Sequence, residues 1–203
     1  ILASYENPAP NTTVIDKLTV IARHKGIEPI IVFNKSDMGD FGEYIRIYQN
    51  AGFKTFSVSA LNGVGIEAIK EELKGSISAF TGNSGVGKSS LLNAMLGDDI
   101  IETGEVSEKL GRGRHTTRHT EIYPLSFGGF VADTPGFSSI EAGDDFALKE
   151  HLAEYFEDFG DYIYECQFSS CSHTKEKGCA VIKAVKEGRI EKTRHESYVA
   201  LFE

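Results

Sequence analysis

The stretch SISAFTGNSGVGKSSLLNAML, residues 76–96, sets a short apolar strand ahead of a helix with a glycine-rich turn between them. Within it, Gly82-Asn83-Ser84-Gly85-Val86-Gly87-Lys88-Ser89 fits the pattern GxxxxGK[ST], and it does so where the pattern must sit, after a strand and at the opening of a helix. Glycines let the backbone fold back so that successive N–H groups converge on a phosphate, and the helix start adds the positive end of its dipole. Lys88 can reach β- and γ-phosphate oxygens, Ser89 can offer a hydroxyl to Mg²⁺, and Ser90 follows as a further nucleotide-binding position. This motif specifies a nucleotide phosphate and is silent on the base.

Toward the N-terminus the pattern alternates between helix and strand. Val14, Leu18, Ile21 and Ala22 share one helical face within residues 14–25, and Gly26 stops that helix. Residues 28–33 read as a buried strand, 42–50 as a helix, 54–59 as a strand, 65–73 as a short amphipathic helix and 76–81 as the strand before the phosphate loop. Alternation of this kind predicts an α/β fold with a largely parallel sheet flanked by helices. Toward the C-terminus, 98–119 lacks periodicity and reads as a loop. Residues 120–132 read as two strands around the turn Gly128-Gly129, and Asp133-Thr134-Pro135-Gly136 ends the second. Residues 146–164, 179–187 and 191–202 read as helices. A boundary near residue 145 divides the chain into 1–145 and 146–203.

Two loops ahead of the phosphate loop choose the base. Asn34-Lys35-Ser36-Asp37 and Ser59-Ala60-Leu61 each follow a strand. The Asp37 carboxylate offers two acceptors to the N1–H and N2–H₂ donors of guanine. Adenine lacks that donor pair and would leave the carboxylate unpaired. Lys35 can lay its stem along the base, Asn34 can tie its loop to the phosphate loop, and the Ala60 N–H can meet the guanine O6. The order is permuted. In Ras-like GTPases the phosphate loop comes first, whereas here both guanine loops precede it. Surface termini that lie close together make such a rearrangement inexpensive. It also leaves the switch segments running directly into 146–203, which suggests coupling between γ-phosphate sensing and the C-terminal region.

The switch residues follow. In Asp133-Thr134-Pro135-Gly136, Asp133 is placed near Mg²⁺ and the Gly136 N–H on the γ-phosphate. The residue after Gly136 is Phe137, where Ras-like enzymes use glutamine to orient water. Within Gly111–Arg118, Thr117 is the candidate to complete the Mg²⁺ shell. His115 is either a group that orients or deprotonates water or a loop histidine facing RNA or solvent. Downstream, Cys166-x4-Cys171-x-His173-x5-Cys179 uses every cysteine in the chain and supplies the Cys₃His set of a structural zinc site, with no coordination position left for catalysis.

Bulk properties agree with an ordinary globular protein: 203 residues, 40% hydrophobic and 25% charged. No apolar run approaches the roughly 20 residues a spanning helix needs. The formal net charge of -9 argues against uniform coating by nucleic acid. Even so, four Lys/Arg and two His stand without an acid between Lys109 and His119, and five Lys/Arg face two acids between Lys183 and His195. These are local basic surfaces or solvated faces. Clustered cysteines beside a histidine suggest metal in a reducing compartment rather than disulfides. The chain starts at Ile1 without a basic segment ahead of an apolar one, which argues against a signal peptide and suggests a start inside a longer protein.

Taken together, GIEPIIVFNKSD, SVSALNGVGI, TGNSGVGKSSLLNAMLG, KLGRGRHTTRHTEIYPL, VADTPGFSS and CQFSSCSHTKEKGCAV resemble the circularly permuted, ribosome small-subunit-dependent GTPase family (RsgA). The resemblance spans essentially the whole chain. It implies a cytoplasmic GTPase using GTP/GDP, Mg²⁺ and one structural Zn²⁺. Its role would be late maturation of the small (30S) ribosomal subunit, with hydrolysis stimulated by that subunit and its rRNA. It also implies a catalytic role for His115, and an N-terminal OB-fold barrel that would end where this chain begins. A monomer without membrane contact is expected. The alternatives are a nucleotide-gated rRNA-binding module with little hydrolysis, or an ATP-using P-loop enzyme, the latter disfavoured by Asn34–Asp37.

Overall fold

The structure, a computed structural model, describes residues 1–96, 121–133 and 149–203. The chain divides into two compact units, each assembled from separate stretches of sequence. One comprises Ile1–Pro10, Val32–Phe41 and Phe56–Ala142; the other comprises Asn11–Ile31, Gly42–Thr55 and Gly143–Glu203.

The first unit carries most of the strand residues; only Ile30, Ile31, Lys54 and Thr55, at the starts of two strands, are grouped with the second. β1 (Leu2–Ser4), β2 (Ile30–Asn34) and β3 (Lys54–Ser57) form one sheet in the order β1-β2-β3, and β1 runs parallel to β2 with Leu2 opposite Val32 and Ser4 opposite Asn34. Ile31, Val32 and Phe33 are all buried, the near-continuous apolar run of a strand covered on both faces. β4 (Ile77–Ala79), β6 (Phe130–Asp133) and β5 (Glu121–Pro124) form a second sheet in the order β4-β6-β5, with β4 parallel and β5 antiparallel to β6. The hairpin turn is closed by Leu125 N–H to Gly129 O at 2.9 Å and Gly128 N–H to Leu125 O at 3.0 Å. Leu2 N–H donates to Thr81 O at 2.7 Å, so β1 also meets the chain just past β4. Helices α3 (Ile66–Leu73) and α4 (Lys88–Leu96) pack on one another. Leu92 of α4 forms a small core with Leu125 and Val131.

The second unit is helical: α1 (Thr12–His24), α2 (Gly42–Asn50), two 3-10 helices (Leu152–Tyr155 and Glu157–Tyr164), α5 (Ala180–Lys186) and α6 (Lys192–Phe202). Asn11 caps α1 by accepting from Val14 N–H at 3.2 Å, and Arg23 and His24 in its last turn suit the negative end of the helix dipole. Its core joins Val20 of α1 to Phe156, Phe159 and Tyr198, whose rings lie 5.0–5.4 Å apart. α1 lies along α6, and the two meet at a buried ion network. The fully buried Arg194 places Nη1 2.5 Å from Asp16 Oδ1, and Nη2 and Nε reach Asp158 at 2.8 and 3.2 Å. Its guanidinium also stands 4.5 Å from the centre of the Phe156 ring. Burial alone would lower its pKa, but Asp158 and Asp16 raise it above the usual arginine value.

Most expected elements appear within one to three residues of their anticipated bounds. β1 has no counterpart in the periodicity of the sequence. The apolar spacing expected to give one helix over 146–164 instead gives, from Leu152 onward, two 3-10 helices, because Phe156 between them (φ −90°, ψ 78°) and Gly160 within the second (φ 48°, ψ −138°) take non-helical backbone. The basic stretch Lys183–His195 is not a uniformly solvated face, since Arg194 turns inward.

Candidate functional site

Asn34-Lys35-Ser36-Asp37, Ser59-Ala60-Leu61 and the phosphate loop lie at or beyond the carboxyl ends of strands, β2, β3 and β4 respectively, where open α/β sheets place their ligands. One buried side chain joins the three. Asn34 donates from Nδ2 to Val86 O at 3.0 Å and accepts at Oδ1 from Ala60 N–H at 3.1 Å. A buried amide is costly unless its polar ends are paired. Pairing at both ends fixes its orientation and so fixes the spacing of the loops. The Ala60 N–H, the group expected to meet a base oxygen, donates here to Asn34 Oδ1. Ser36 N–H donates to Val58 O at 2.9 Å, and Ser59 Oγ donates to Asp37 Oδ1, orienting the carboxylate from the second loop. Leu61 is 84% exposed and contributes no core packing.

The phosphate loop has the backbone its sequence requires. Gly82 and Gly87 hold φ of 147° and 92°, and a Cβ on either would stand 2.3 Å from Leu2 O or Asn34 Nδ2. Both positions therefore need glycine for space as well as for conformation. Lys88 Nζ donates to Gly82 O at 2.7 Å and Asn83 O at 2.8 Å, and burial lowers its pKa. Ser89 and Ser90 lie in the first turn of α4, and Ser84 and Gly85 lie within the loop. Asp133 is the last residue of β6. Thr117, His115 and Gly136 lie outside the described residues.

The structure brings Cys166, Cys171, His173 and Cys179 together, with all four ligand atoms within 4.8 Å of one another. Around a tetrahedral zinc, with bonds of about 2.3 Å to sulfur and 2.0–2.1 Å to nitrogen, S···S edges come to about 3.8 Å and S···N edges to about 3.5 Å. Cys166 and Cys179 place their sulfurs 3.8 Å apart, and the two stand 3.4 and 3.5 Å from His173 Nδ1. The donor set fits zinc in both chemistry and spacing. Burial lowers the His173 pKa, which keeps the imidazole neutral and able to ligate. Burial also raises the Cys171 and Cys179 thiols, so metal binding carries proton release with it.

A ring of hydrogen bonds around the ligands was not legible in the sequence. Glu176 accepts from the N–H groups of Ser172, Thr174 and Lys175 at 2.9–3.0 Å and from Ser172 Oγ. Burial works the other way, but these bonds hold its carboxyl at about 2. His195 Nε2 donates to His173 O at 2.7 Å, and Tyr198 OH donates to Ser172 O at 2.9 Å. The loop is thus held by its own carboxylate and by two residues of α6.

Known proteins are similar to this chain in sequence and fold. The RsgA GTPase family model matches residues 1–143. The small ribosomal subunit biogenesis GTPase RsgA of Caldanaerobacter subterraneus subsp. tengcongensis is 45% identical over 99% of this chain and 68% of its own length. That of Ruminiclostridium cellulolyticum is 42% identical over 100% of this chain and 66% of its own. Among solved structures, YjeQ from Thermotoga maritima superposes with a TM-score of 0.77 at 37% identity, over 99% of this chain and 68% of that one. YloQ, described as a circularly permuted GTPase, gives 0.73 at 29% identity, over 98% and 64%. The chain therefore spans about two thirds of the length of these relatives.

Proposed function

The chain belongs to the RsgA GTPase family, and from that premise we propose that it binds GTP and hydrolyses it to GDP and phosphate during late maturation of the small ribosomal subunit, which stimulates the reaction. The observation that carries this is the Asn34 bridge, because it gathers the guanine-reading and phosphate-binding loops into one site despite their permuted order. Asp37 reads the base, Lys35 supports it, and the backbone of residues 82–88 with Lys88 holds the phosphates. Mg²⁺ would be held by Ser89, Thr117 and Asp133 and would neutralise charge between the β- and γ-phosphates. Water attacks the γ-phosphorus and GDP leaves. Phe137 has no group to direct that water, so His115 is assigned to orient it, with the Gly136 N–H on the γ-phosphate.

Cys166, Cys171, His173 and Cys179 would hold zinc with four protein ligands, and the metal would then serve structure rather than catalysis. Residues 1–145 and 146–203 are proposed as the functional divisions of the chain. In the second, Lys175, Lys177, Lys183, Lys186 and Arg189, with Glu165 and Glu176 among them, line a cleft of about 830 Å³ beside Tyr162. This is a surface suited to rRNA phosphates. No helix among the described residues is long and apolar enough to cross a membrane. A cytoplasmic monomer that meets the small subunit is the form proposed. Multiple-turnover GTP hydrolysis with and without purified small subunits tests the assignment on a protein that also carries the remaining third of the relatives' length. At least tenfold stimulation is expected, and none would overturn it.

A further inference from the structure

The residues just after β1 have no part in the nucleotide motifs, yet they lie against two of them. Lys35 has a left-handed backbone, φ 66°, at the exit of β2. Its ammonium donates to Glu6 O at 3.1 Å and Asn7 O at 3.4 Å, so the stem is fixed at both ends. The same turn approaches the phosphate loop: a Cβ on Gly85 would stand 3.1 Å from Asn7 O and 3.8 Å from Pro8 Cδ. Ser4, fully buried and opposite Asn34 in the β1–β2 register, anchors the turn from below by donating to Pro8 O at 2.9 Å. Tyr5 closes it on the other side. Its ring occupies the space a side chain on Gly39 would need and packs edge-on against Phe41 at 5.6 Å.

We infer that the turn Glu6-Asn7-Pro8 is a positioning element of the guanine site: its two carbonyls hold the Lys35 ammonium so that the lysine stem is preset as a platform for the base. This rests on the guanine-nucleotide binding proposed above. Asn7 matters through its backbone. It is exposed and holds φ 53°, a conformation that asparagine and glycine adopt readily and alanine does not. Presetting the lysine removes an ordering cost that would otherwise be charged against binding.

The test is titration of the chain with fluorescent mant-GDP, with thermal unfolding run in parallel. Asn7→Ala is expected to raise the Kd roughly five- to thirtyfold, the size of a left-handed alanine's penalty, with an unfolding midpoint near wild type. Asn7→Gly also lacks the side chain but keeps the backbone option, and it should bind within about twofold of wild type. In a Lys35→Ala background, Asn7→Ala should have no further effect, because the turn acts through that lysine. Wild-type affinity in Asn7→Ala would overturn the role of the turn, as would equal weakness in Asn7→Gly or full additivity with Lys35→Ala. Failure of the wild-type chain to bind mant-GDP would overturn guanine-nucleotide binding itself, and the turn's role with it.

Discussion

Replacing Arg194 with methionine removes the cation from a fully buried site while keeping most of the stem's volume. Two carboxylates lose their partner: Asp16 its contact at 2.5 Å, and Asp158 a two-pronged contact at 2.8 and 3.2 Å. Breaking a buried pair by deleting one member costs about 3–5 kcal/mol, because the abandoned charge stays out of water. At 2–4 °C per kcal/mol for a chain of this size, the midpoint should fall by about 6–20 °C. Lost packing alone is a smaller effect for so similar a volume. The deficit must also depend on pH. Burial raises Asp16 above the ordinary carboxyl range, and Arg194 partly offsets this. Without Arg194 it rises further. A carboxyl whose folded pKa lies above its unfolded value of about 3.9 is more stable folded in its protonated form. The variant's stability is therefore greatest below that value and declines as pH rises toward the folded pKa. Urea unfolding followed by circular dichroism should then show a larger gap from wild type at pH 8 than at pH 5. A loss under about 1 kcal/mol, the size typical of exposed pairs, would refute the buried network, and so would an equal gap at both pH values.

Three further outcomes follow from the same structure. Glu176→Gln removes the charge that gathers three loop N–H groups, so zinc release to a chromogenic chelator should quicken about tenfold, within the range for outer-shell partners of metal ligands; an unchanged rate would count against that role. Zinc removal by chelation should lower the unfolding midpoint of the intact chain, since Cys179 lies in the same core as Phe159 and Tyr198. Burial opposes the Glu191 carboxylate, but Asn50 and Arg46 together hold its pKa below the ordinary range. Its contribution is thus complete above about pH 4.3 and is lost as pH falls through the folded value. Glu191→Gln should flatten the acid limb of the stability profile by under about 1 kcal/mol, as the pair is partly exposed.

The parts of this protein that sequence discloses are those where backbone chemistry restricts residue type. The phosphate loop needs Gly82 and Gly87 because atoms of other segments stand where a Cβ would go. The Cys₃His loop shows its four candidate ligands at close spacing, and β2 shows an apolar run. What stayed hidden depends on partners distant along the chain. Asp16 sits among the apolar positions of α1 as an ordinary polar residue, and Arg194 reads as one cation of a basic tail. Only their meeting across 178 positions makes both buried. Local periodicity carries no trace of such a pair. β1 is not legible in the sequence because three residues are too few to show alternation. The Lys35 anchor leaves no mark in the sequence because it uses backbone carbonyls, which every residue has.

The guanine site itself is tested most directly by displacing mant-GDP with GTP, ATP and XTP from the wild-type chain and from Asp37→Asn. Asp37 accepts from Ser59 at one oxygen and retains lone pairs for two base donors. GTP should therefore displace the probe at least about 100-fold more readily than ATP, since an unmatched buried carboxylate is the penalty for adenine. In Asp37→Asn the amide N–H₂ matches the carbonyl of xanthine, so XTP should overtake GTP. Equal displacement by ATP and GTP in wild type, with Asp37→Asn leaving the ranking unchanged, would contradict guanine recognition by the permuted loops.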